Sequence, residues 1–117
     1  MTTLYGIPNC DTVKRARAWL DEHGVAYTFH DFKKQGVPEA ELDQWLKKPG
    51  WEALVNRRGT TWRKLDEATQ NAVVDAASAR AVLLANPSLI KRPVVNWGAK
   101  TGVTTGFDAE AWAVNAV

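Results

Sequence analysis

The chain is poor in the features that mark several large classes of protein. Its 117 residues include one cysteine, two histidines and a net charge of only +2. One cysteine cannot form an internal disulfide, which favours a reducing compartment, so we expect a cytoplasmic protein. No apolar run approaches the roughly 20 residues of a membrane helix, and no basic, apolar leader is recognisable. We therefore expect no membrane association and no secretory processing.

Metal and nucleotide sites are also not expected. His23 and His30 have no cysteine or histidine at ligand spacing, so the sequence predicts no metal site. It contains no glycine-rich phosphate loop, and the net charge is too small to predict nucleic-acid binding. The hydrophobic fraction of 45% and charged fraction of 24% are typical of one globular domain, which we expect to be a monomer. The six tryptophans are interpreted as packing residues.

The order of predicted elements indicates an α/β fold. A strand at 2–7, a helix at 11–23 and a strand at 25–32 form a βαβ unit. Two more strands, at 92–97 and 101–107, are joined by a turn at 98–100 and followed by a helix from 108 to about 115. This order predicts a thioredoxin-like (glutaredoxin-like) fold, a mixed four-stranded sheet with an inserted helical subdomain. The predicted core covers 1–34 and 87–117, and the predicted insertion covers 35–86.

The insertion is predicted to be helical with polar connections. After a loop at 35–38, helices are expected from Pro38 to about residue 48, over 51–55, from 66 to about 76 and from 78 to 86. A polar loop at 56–61 and a turn at 62–65 separate the second helix from the third. Asp66 and Ser78 are the predicted caps of the last two helices.

Cys10 is the leading candidate for a catalytic group. It follows the first strand and stands at the first turn of the next helix, where free N–H groups and the helix dipole favour an anion. A lone cysteine is more often an inert small hydrophobe. In this position, however, we expect its thiol to ionise more readily than an ordinary one. Asn9 or Thr12 could hydrogen-bond the sulfur.

A single catalytic cysteine must take its resolving thiol from another molecule. The sequence from Cys10 to Val13 lacks the second cysteine of a Cys-x-x-Cys pair. Glutathione, the abundant cytosolic thiol, is therefore the expected co-substrate. No bound cofactor is expected.

Basic residues form the second group of candidates. Arginine binds oxyanions and carboxylates through two parallel hydrogen bonds, and a nearby positive charge favours a thiolate. Arg57 and Arg58 lie in a polar loop, and such loops are usually only solvated surface. Arg92 is more constrained, because an apolar strand follows it. Lys14, one turn into the first helix, could add to the same positive field.

Three segments of the chain resemble the arsenate reductase (ArsC) family, in particular its Spx/YffB-like branch. They are the opening at residues 5–14, the loop Asn56-Arg57-Arg58-Gly59, and the run at 90–95 that contains Arg92 and Pro93. The resemblance implies a thioredoxin-like fold with a helical insertion and a cis bond between Arg92 and Pro93. In the family's arsenate reductases a cysteine thiolate attacks arsenate, and glutathione and glutaredoxin complete the reduction.

The chain departs from the family's pattern of arginines at two positions. An ungapped match places the arginine of the insertion loop on Asn56, so Arg57 or Arg58 would serve after a small shift. A third arginine is expected near Thr105, and the chain has none there. This pattern fits glutathione-dependent thiol reductases better than arsenate reductases. The implied catalytic residues are Cys10, Arg92 and Arg58, and the implied substrate- or glutathione-binding residues are Asn9, Thr12, Lys14, Arg57 and Pro93.

Two other functions stay open at this point. A Spx-like regulator would bind RNA polymerase, although many Spx proteins carry a Cys-x-x-Cys pair that this chain lacks. A glutathione-binding module without turnover is the third candidate. For an enzyme, the expected partners are glutathione, glutaredoxin as a further candidate, and a small oxyanion or a disulfide as substrate.

Overall fold

The computed structural model describes residues 2–99 and 101–115. Its strands are β1 (Thr2–Gly6), β2 (Tyr27–Asp31), β3 (Val94–Asn96) and β4 (Val103–Thr105). Its helices are α1 (Asp11–Glu22), α2 (Phe32–Gln35), α3 (Glu39–Trp45), α4 (Trp51–Leu54), α5 (Thr60–Lys64), α6 (Glu67–Ala72), α7 (Ala76–Ala85) and α8 (Ala109–Asn115). The described residues group into two compact units, one within 1–36 and 92–117 and the other within 37–91.

The first unit contains the predicted mixed four-stranded sheet, and its strand order is β2-β1-β3-β4. β1 pairs in parallel with β2, with Thr2 opposite Tyr27 and Gly6 opposite Asp31. β3 is antiparallel to both β1 and β4. Bonds from Trp97 N–H to the Gly102 carbonyl (2.9 Å) and from Gly102 N–H to the Gly98 carbonyl (2.8 Å) close the β3–β4 hairpin. Lys100, in the predicted turn, lies outside the described residues.

The core of this unit lies under α1 and α8. The buried side chains of α1 recur at helical spacing, at Val13, Ala16 and Leu20, and they pack with residues of β1, β3 and α8. α1 ends where Gly24 adopts φ +66°, a left-handed backbone that glycine adopts without the usual steric cost. α1 thus ends one residue before the predicted bound at 23. The fully buried members of this core are Leu4, Val13, Ala16, Leu20, Val95 and Trp112.

The second unit is helical, and its last residues are tied to the segment that follows α4. An isolated antiparallel bridge joins Val55 to Ile90. Beside it, Asn56 N–H donates to the Leu89 carbonyl at 2.9 Å, and Lys91 N–H donates to the Leu54 carbonyl at 2.7 Å. A turn at Leu46–Gly50, with extended backbone at Lys48, links α3 to α4, and a 3-10 turn at Pro87–Leu89 follows α7. The buried side chains of this unit include Leu42, Trp45, Leu54, Leu83, Leu89 and Ile90.

Several predicted boundaries were wrong, and at two of them a side-chain cap starts a helix at a residue that the sequence pattern did not indicate. β2 ends at Asp31 rather than at 32, since Asp31 accepts the N–H of Lys33 at 2.8 Å and caps α2. The predicted loop and turn between 56 and 65 contain α5. The predicted helix from 66 to about 76 ends at Ala72. The next helix is capped by Asp75, which accepts the Ser78 N–H at 2.9 Å, and not by Ser78.

The described helices are short. The longest is α1, with 12 residues. None of the helices in residues 2–99 and 101–115 is long and apolar enough to cross a bilayer.

Candidate active site around Cys10

Cys10 connects the end of β1 to the start of α1, as the sequence predicts. Its backbone is extended (φ −92°, ψ 125°), and it is the residue immediately before the first helical turn. Its N–H donates to the Ile7 carbonyl at 3.3 Å, and its carbonyl accepts the Lys14 N–H at 2.9 Å. The residue is half-buried, and it packs against the core of its unit. Cys10 is therefore held at a defined place and is only partly buried.

Close packing of β1 against α1 fixes the position of this connection. A Cβ atom added at Gly6 would lie 2.9 Å from Val13 Cγ2 and 3.4 Å from Val13 Cγ1. Val13 is fully buried. Its branched side chain has few alternative rotamers, so it cannot move aside at low cost. Glycine at position 6 thus lets the strand end approach the helical turn that carries Cys10.

The start of α1 offers hydrogen-bond donors to an anion. The first intrahelical bond is from Lys14 N–H to the Cys10 carbonyl, so the N–H groups of Asp11, Thr12 and Val13 have no acceptor within the helix. The Cys10 side chain makes no capping hydrogen bond. These donors and the helix dipole favour negative charge on the sulfur or on a ligand bound beside it.

Asn9, Thr12 and Lys14 surround Cys10 along the chain. Asn9 and Lys14 are exposed and Thr12 is half-buried. Within the described part of the first unit, no side chain hydrogen-bonds the Cys10 sulfur. The assignment of Asn9, Thr12 and Lys14 to substrate or glutathione binding therefore stays a prediction.

Arg92 lies at the sheet end from which the Cys10 connection leaves. Val94 of β3 is opposite Tyr5 of β1. Continuing this antiparallel register beyond the last pair puts Pro93 level with Gly6 and Arg92 level with Ile7. The bond between Arg92 and Pro93 is cis, as the family resemblance implies.

The side chain of Arg92 is available for a ligand. Arg92 is half-buried and Pro93 is buried. Among the described residues of its own unit, Arg92 has no partner in an ion pair or hydrogen bond. Its guanidinium therefore keeps all its donors for an anion from outside.

The other two strands also end near this point. Thr105 of β4 is opposite Val94, and the next residue, Gly106, donates its N–H to the Pro93 carbonyl at 2.9 Å. Thr105 therefore stands where the resemblance implies an arginine. At the end of β2, α2 carries Lys33 and Lys34, both exposed, which the sequence analysis did not include among the site candidates. The parallel pairing of β1 with β2 places the end of β2 beside the end of β1, so it could have indicated these two lysines as site candidates.

Arg57 and Arg58 belong to the second unit. Both are exposed. The Arg57 Cζ lies 5.9 Å from the ring centroid of Trp51 and 5.4 Å from that of Trp62. Arg58 donates its backbone N–H to Asn56 Oδ1 at 3.2 Å. The two arginines thus differ: aromatic rings contact the Arg57 guanidinium, whereas an Asn56 side-chain bond fixes the backbone at Arg58.

The groups with shifted pKa values are structural and lie in the second unit. Hydrogen bonds from the Ser78 backbone N–H and hydroxyl lower the pKa of the Asp75 carboxyl, which caps α7. Hydrogen bonds from Thr69 lower the pKa of Asp66, the cap of α6. Hydrogen bonds to Asp43 and then Glu39 raise the pKa of Arg80. None of these groups is a predicted site residue.

The described residues contain no group of three or more His, Cys, Asp or Glu side chains that could hold a metal ion. The absence of a bound cofactor stays a prediction.

Comparison with known proteins gives a consistent assignment. A model of the ArsC family matches residues 5–115. A solved structure described as a YFFB protein is 48% identical, with a TM-score of 0.92 and full coverage of both chains. An arsenate reductase (ArsC) related protein from Brucella melitensis is 50% identical, with a TM-score of 0.74, covering 97% of this chain and 92% of that one.

A relative with a different described role is also similar. The global transcriptional regulator Spx of Staphylococcus saprophyticus is 30% identical over 100 residues, which are 81% of this chain and 72% of that protein. The family match spans nearly the whole sequence and includes Cys10, the loop at 56–59 and Arg92. The protein therefore belongs to the ArsC family.

Proposed function

We propose that the protein is a thiol–disulfide reductase that uses Cys10 as its nucleophile and glutathione as its reductant. One observation carries the proposal: a half-buried Cys10 stands at the start of α1, and Arg92, whose side chain has no partner among the described residues of its unit, lies at the same end of the sheet. The chain has no other cysteine, so an external thiol must complete each cycle.

The proposed reaction has two exchange steps. The Cys10 thiolate attacks the glutathionyl sulfur of a mixed disulfide, which forms a Cys10–glutathione disulfide and releases the substrate thiolate to take up a proton. The thiolate of a second glutathione then attacks the glutathionyl sulfur of that disulfide. This step releases glutathione disulfide and restores the Cys10 thiolate. Overall, the mixed disulfide is reduced and glutathione is oxidised, with two electrons transferred.

The other candidate residues have separate roles in this proposal. Arg92 stabilises the thiolate by its charge and binds a carboxylate of glutathione. Asn9, Thr12, Lys14 and Pro93 contact the glutathionyl group. Arg58 and Arg57 are assigned to anion binding by the family resemblance. A separate protein, glutaredoxin, is a further candidate acceptor of the glutathionyl group.

A disulfide is a better-supported substrate than arsenate. Arsenate carries its charge on several oxygens and is best held by several arginines. Thr105 replaces the third arginine that the family resemblance implies on the last strand. Arsenate reduction should therefore be slow compared with reduction of a glutathionyl mixed disulfide.

The test has two parts: reaction of Cys10 with glutathione disulfide followed by mass spectrometry, and turnover of a mixed disulfide of glutathione and 2-mercaptoethanol, with the glutathione disulfide formed measured through glutathione reductase. Wild type should gain one glutathionyl group and turn over, and Cys10→Ser should do neither. Arg92→Leu should react several-fold more slowly, whereas Arg15→Leu, which removes an exposed arginine of α1, should react like wild type. A folded wild-type protein that forms no adduct would disprove the proposal. Stable adduct formation without turnover would indicate a glutathione-binding module.

A regulatory role is the second candidate, favoured by the similarity to Spx. In this case the protein would bind RNA polymerase instead of turning over a thiol substrate. Capture of the purified polymerase α subunit, together with no turnover in the coupled assay, would support regulation over reduction.

A further inference from the structure

Two tryptophans contact one of the two adjacent arginines in the loop between α4 and α5. Trp51 opens α4, and Trp62 lies in α5. Their ring centroids lie 5.9 and 5.4 Å from the Arg57 Cζ, within the range of cation–π attraction. Both tryptophans are half-buried, whereas Arg57 is exposed. An exposed guanidinium is thus restrained by two partly buried rings.

The loop that presents Arg57 is itself held on both sides. Before it, Asn56 N–H is bonded to the Leu89 carbonyl at 2.9 Å. Within it, Asn56 Oδ1 accepts the Arg58 N–H. After it, a Cβ at Gly59 would lie only 2.8 Å from Asn56 Nδ2, so glycine allows the chain to turn closely around the Asn56 side chain.

The backbone of Trp62 is held by a hydrogen bond to the next helix. The main-chain carbonyl of Trp62 accepts a bond of 2.8 Å from Gln70 Nε2, which ties α5 to α6. The backbone that carries the Trp62 ring is therefore held by a contact outside the short helix that contains it.

The ring contacts leave the hydrogen-bonding capacity of Arg57 unused. Cation–π attraction acts on the charge and does not consume N–H donors. Among the described residues of the second unit, no acceptor is bonded to the Arg57 side chain. An arginine side chain that is already ordered loses less conformational entropy when it binds an anion. Arg58 has no comparable ring contact within that part of the chain.

We propose that Trp51 and Trp62 are positioning residues that preorganise the Arg57 guanidinium to bind a carboxylate of glutathione. Arg57, and not Arg58, is then the principal anion-binding arginine of this loop. The proposal rests on the proposed glutathione chemistry for the identity of its ligand. It requires no contribution from Cys10 and can therefore be tested separately.

The test is a titration with S-methylglutathione, which has both carboxylates but no reactive thiol, followed through the arginine Nε–Hε signals in NMR. In the free wild-type protein, the Arg57 signal should be more ordered than that of Arg58. Arg57→Ala should weaken binding more than Arg58→Ala. Arg63→Ala, which removes an exposed arginine of α5 that contacts no ring in the described structure, should bind like wild type.

The tryptophan variants measure the positioning effect. Removing both rings in Trp51→Ala/Trp62→Ala should raise the Kd about tenfold, close to the cost of ordering a free arginine side chain. Trp62→Phe keeps a ring and should restore most of the affinity lost in Trp62→Ala. The diethyl ester of S-methylglutathione, which lacks both carboxylate charges, should not distinguish wild type from the double variant.

Several results would overturn the proposal. They are equal binding by wild type and the folded double variant, an equal loss in Arg63→Ala and Arg57→Ala, and no binding of S-methylglutathione by wild type. The predicted Kd pattern without any adduct on Cys10 would instead reject the reductase function and leave the positioning role intact.

Discussion

Replacing Gly6 by alanine tests whether close packing at the end of β1 positions Cys10. The added Cβ would lie 2.9 Å from Val13 Cγ2, closer than non-bonded carbons normally approach. Overpacking of this kind typically costs about 1–3 kcal/mol. Alanine in place of glycine recovers about 0.5–1 kcal/mol by restricting the unfolded chain. The net expected loss of stability is therefore about 0–2.5 kcal/mol, with a central value of about 1 kcal/mol.

Urea denaturation measures this loss. If the denaturant slope is about 1.5 kcal/mol/M, the midpoint should fall by roughly 0.7 M at the central value. The start of α1 should shift as well, so the rate at which iodoacetamide alkylates Cys10 at neutral pH should change. A Gly6→Ala protein with the stability and alkylation rate of wild type would refute the packing argument.

A double-mutant cycle tests whether a clash with Val13 causes the loss of stability in Gly6→Ala. Val13→Ala removes two buried methyl groups and should alone cost about 2–3 kcal/mol, from about 0.8 kcal/mol for each group plus the cavity left behind. In that background the alanine at position 6 meets no Cγ atom, so it should cost little or even stabilise the protein. A coupling of about 1–3 kcal/mol is therefore expected. Additive effects would mean that the clash is not with Val13.

Two further predictions concern stability. Trp112 is 1% exposed and meets Trp19, Trp97 and Phe107 edge-on at 4.7–5.7 Å, so Trp112→Ala should cost about 3–5 kcal/mol in urea denaturation. Val114→Ala, at a residue of the same helix that is 76% exposed, should change stability by less than about 0.5 kcal/mol, and comparable losses would contradict this reasoning. Because hydrogen bonds lower the folded-state pKa of Asp75, its stabilising effect should be present above the ordinary pKa of 3.8 and lost as the pH falls through the lowered value. The melting temperatures of wild type and Asp75→Asn should therefore converge in acid, and a difference that persists unchanged to about pH 2 would refute this assignment.

The predicted fold class followed from patterns that are local in sequence. The spacing of Val13, Ala16 and Leu20 defined the buried face of α1, and Gly24 defined its end. The alternation of strand, helix and strand, followed by two late strands, was sufficient to predict a mixed four-stranded sheet. These features were predictable because helix periodicity and glycine turns depend on neighbouring residues.

Errors arose where a short polar side chain bonds to the backbone. Asp31 ends β2 by capping α2, and Asp75 replaces Ser78 as the cap of α7. In both cases two competing structures were compatible with the hydrophobic pattern. The choice depended on one side-chain hydrogen bond, which sequence periodicity does not describe.

For the candidate site, the sequence by itself determined the chemistry that is available. It placed a single thiol at a helix start and identified arginines that could accompany it. Only the tertiary structure decided which groups meet: the β1–β3 register brings Arg92 to the Cys10 end of the sheet, and ring contacts distinguish Arg57 from Arg58. The physical reason is that strand register joins residues far apart in the chain, and the ring contacts of Arg57 depend on how the loop between α4 and α5 folds. Such contacts depend on how buried surfaces fit together, whereas the reactivity of a thiol at a helix start depends mainly on its immediate neighbours.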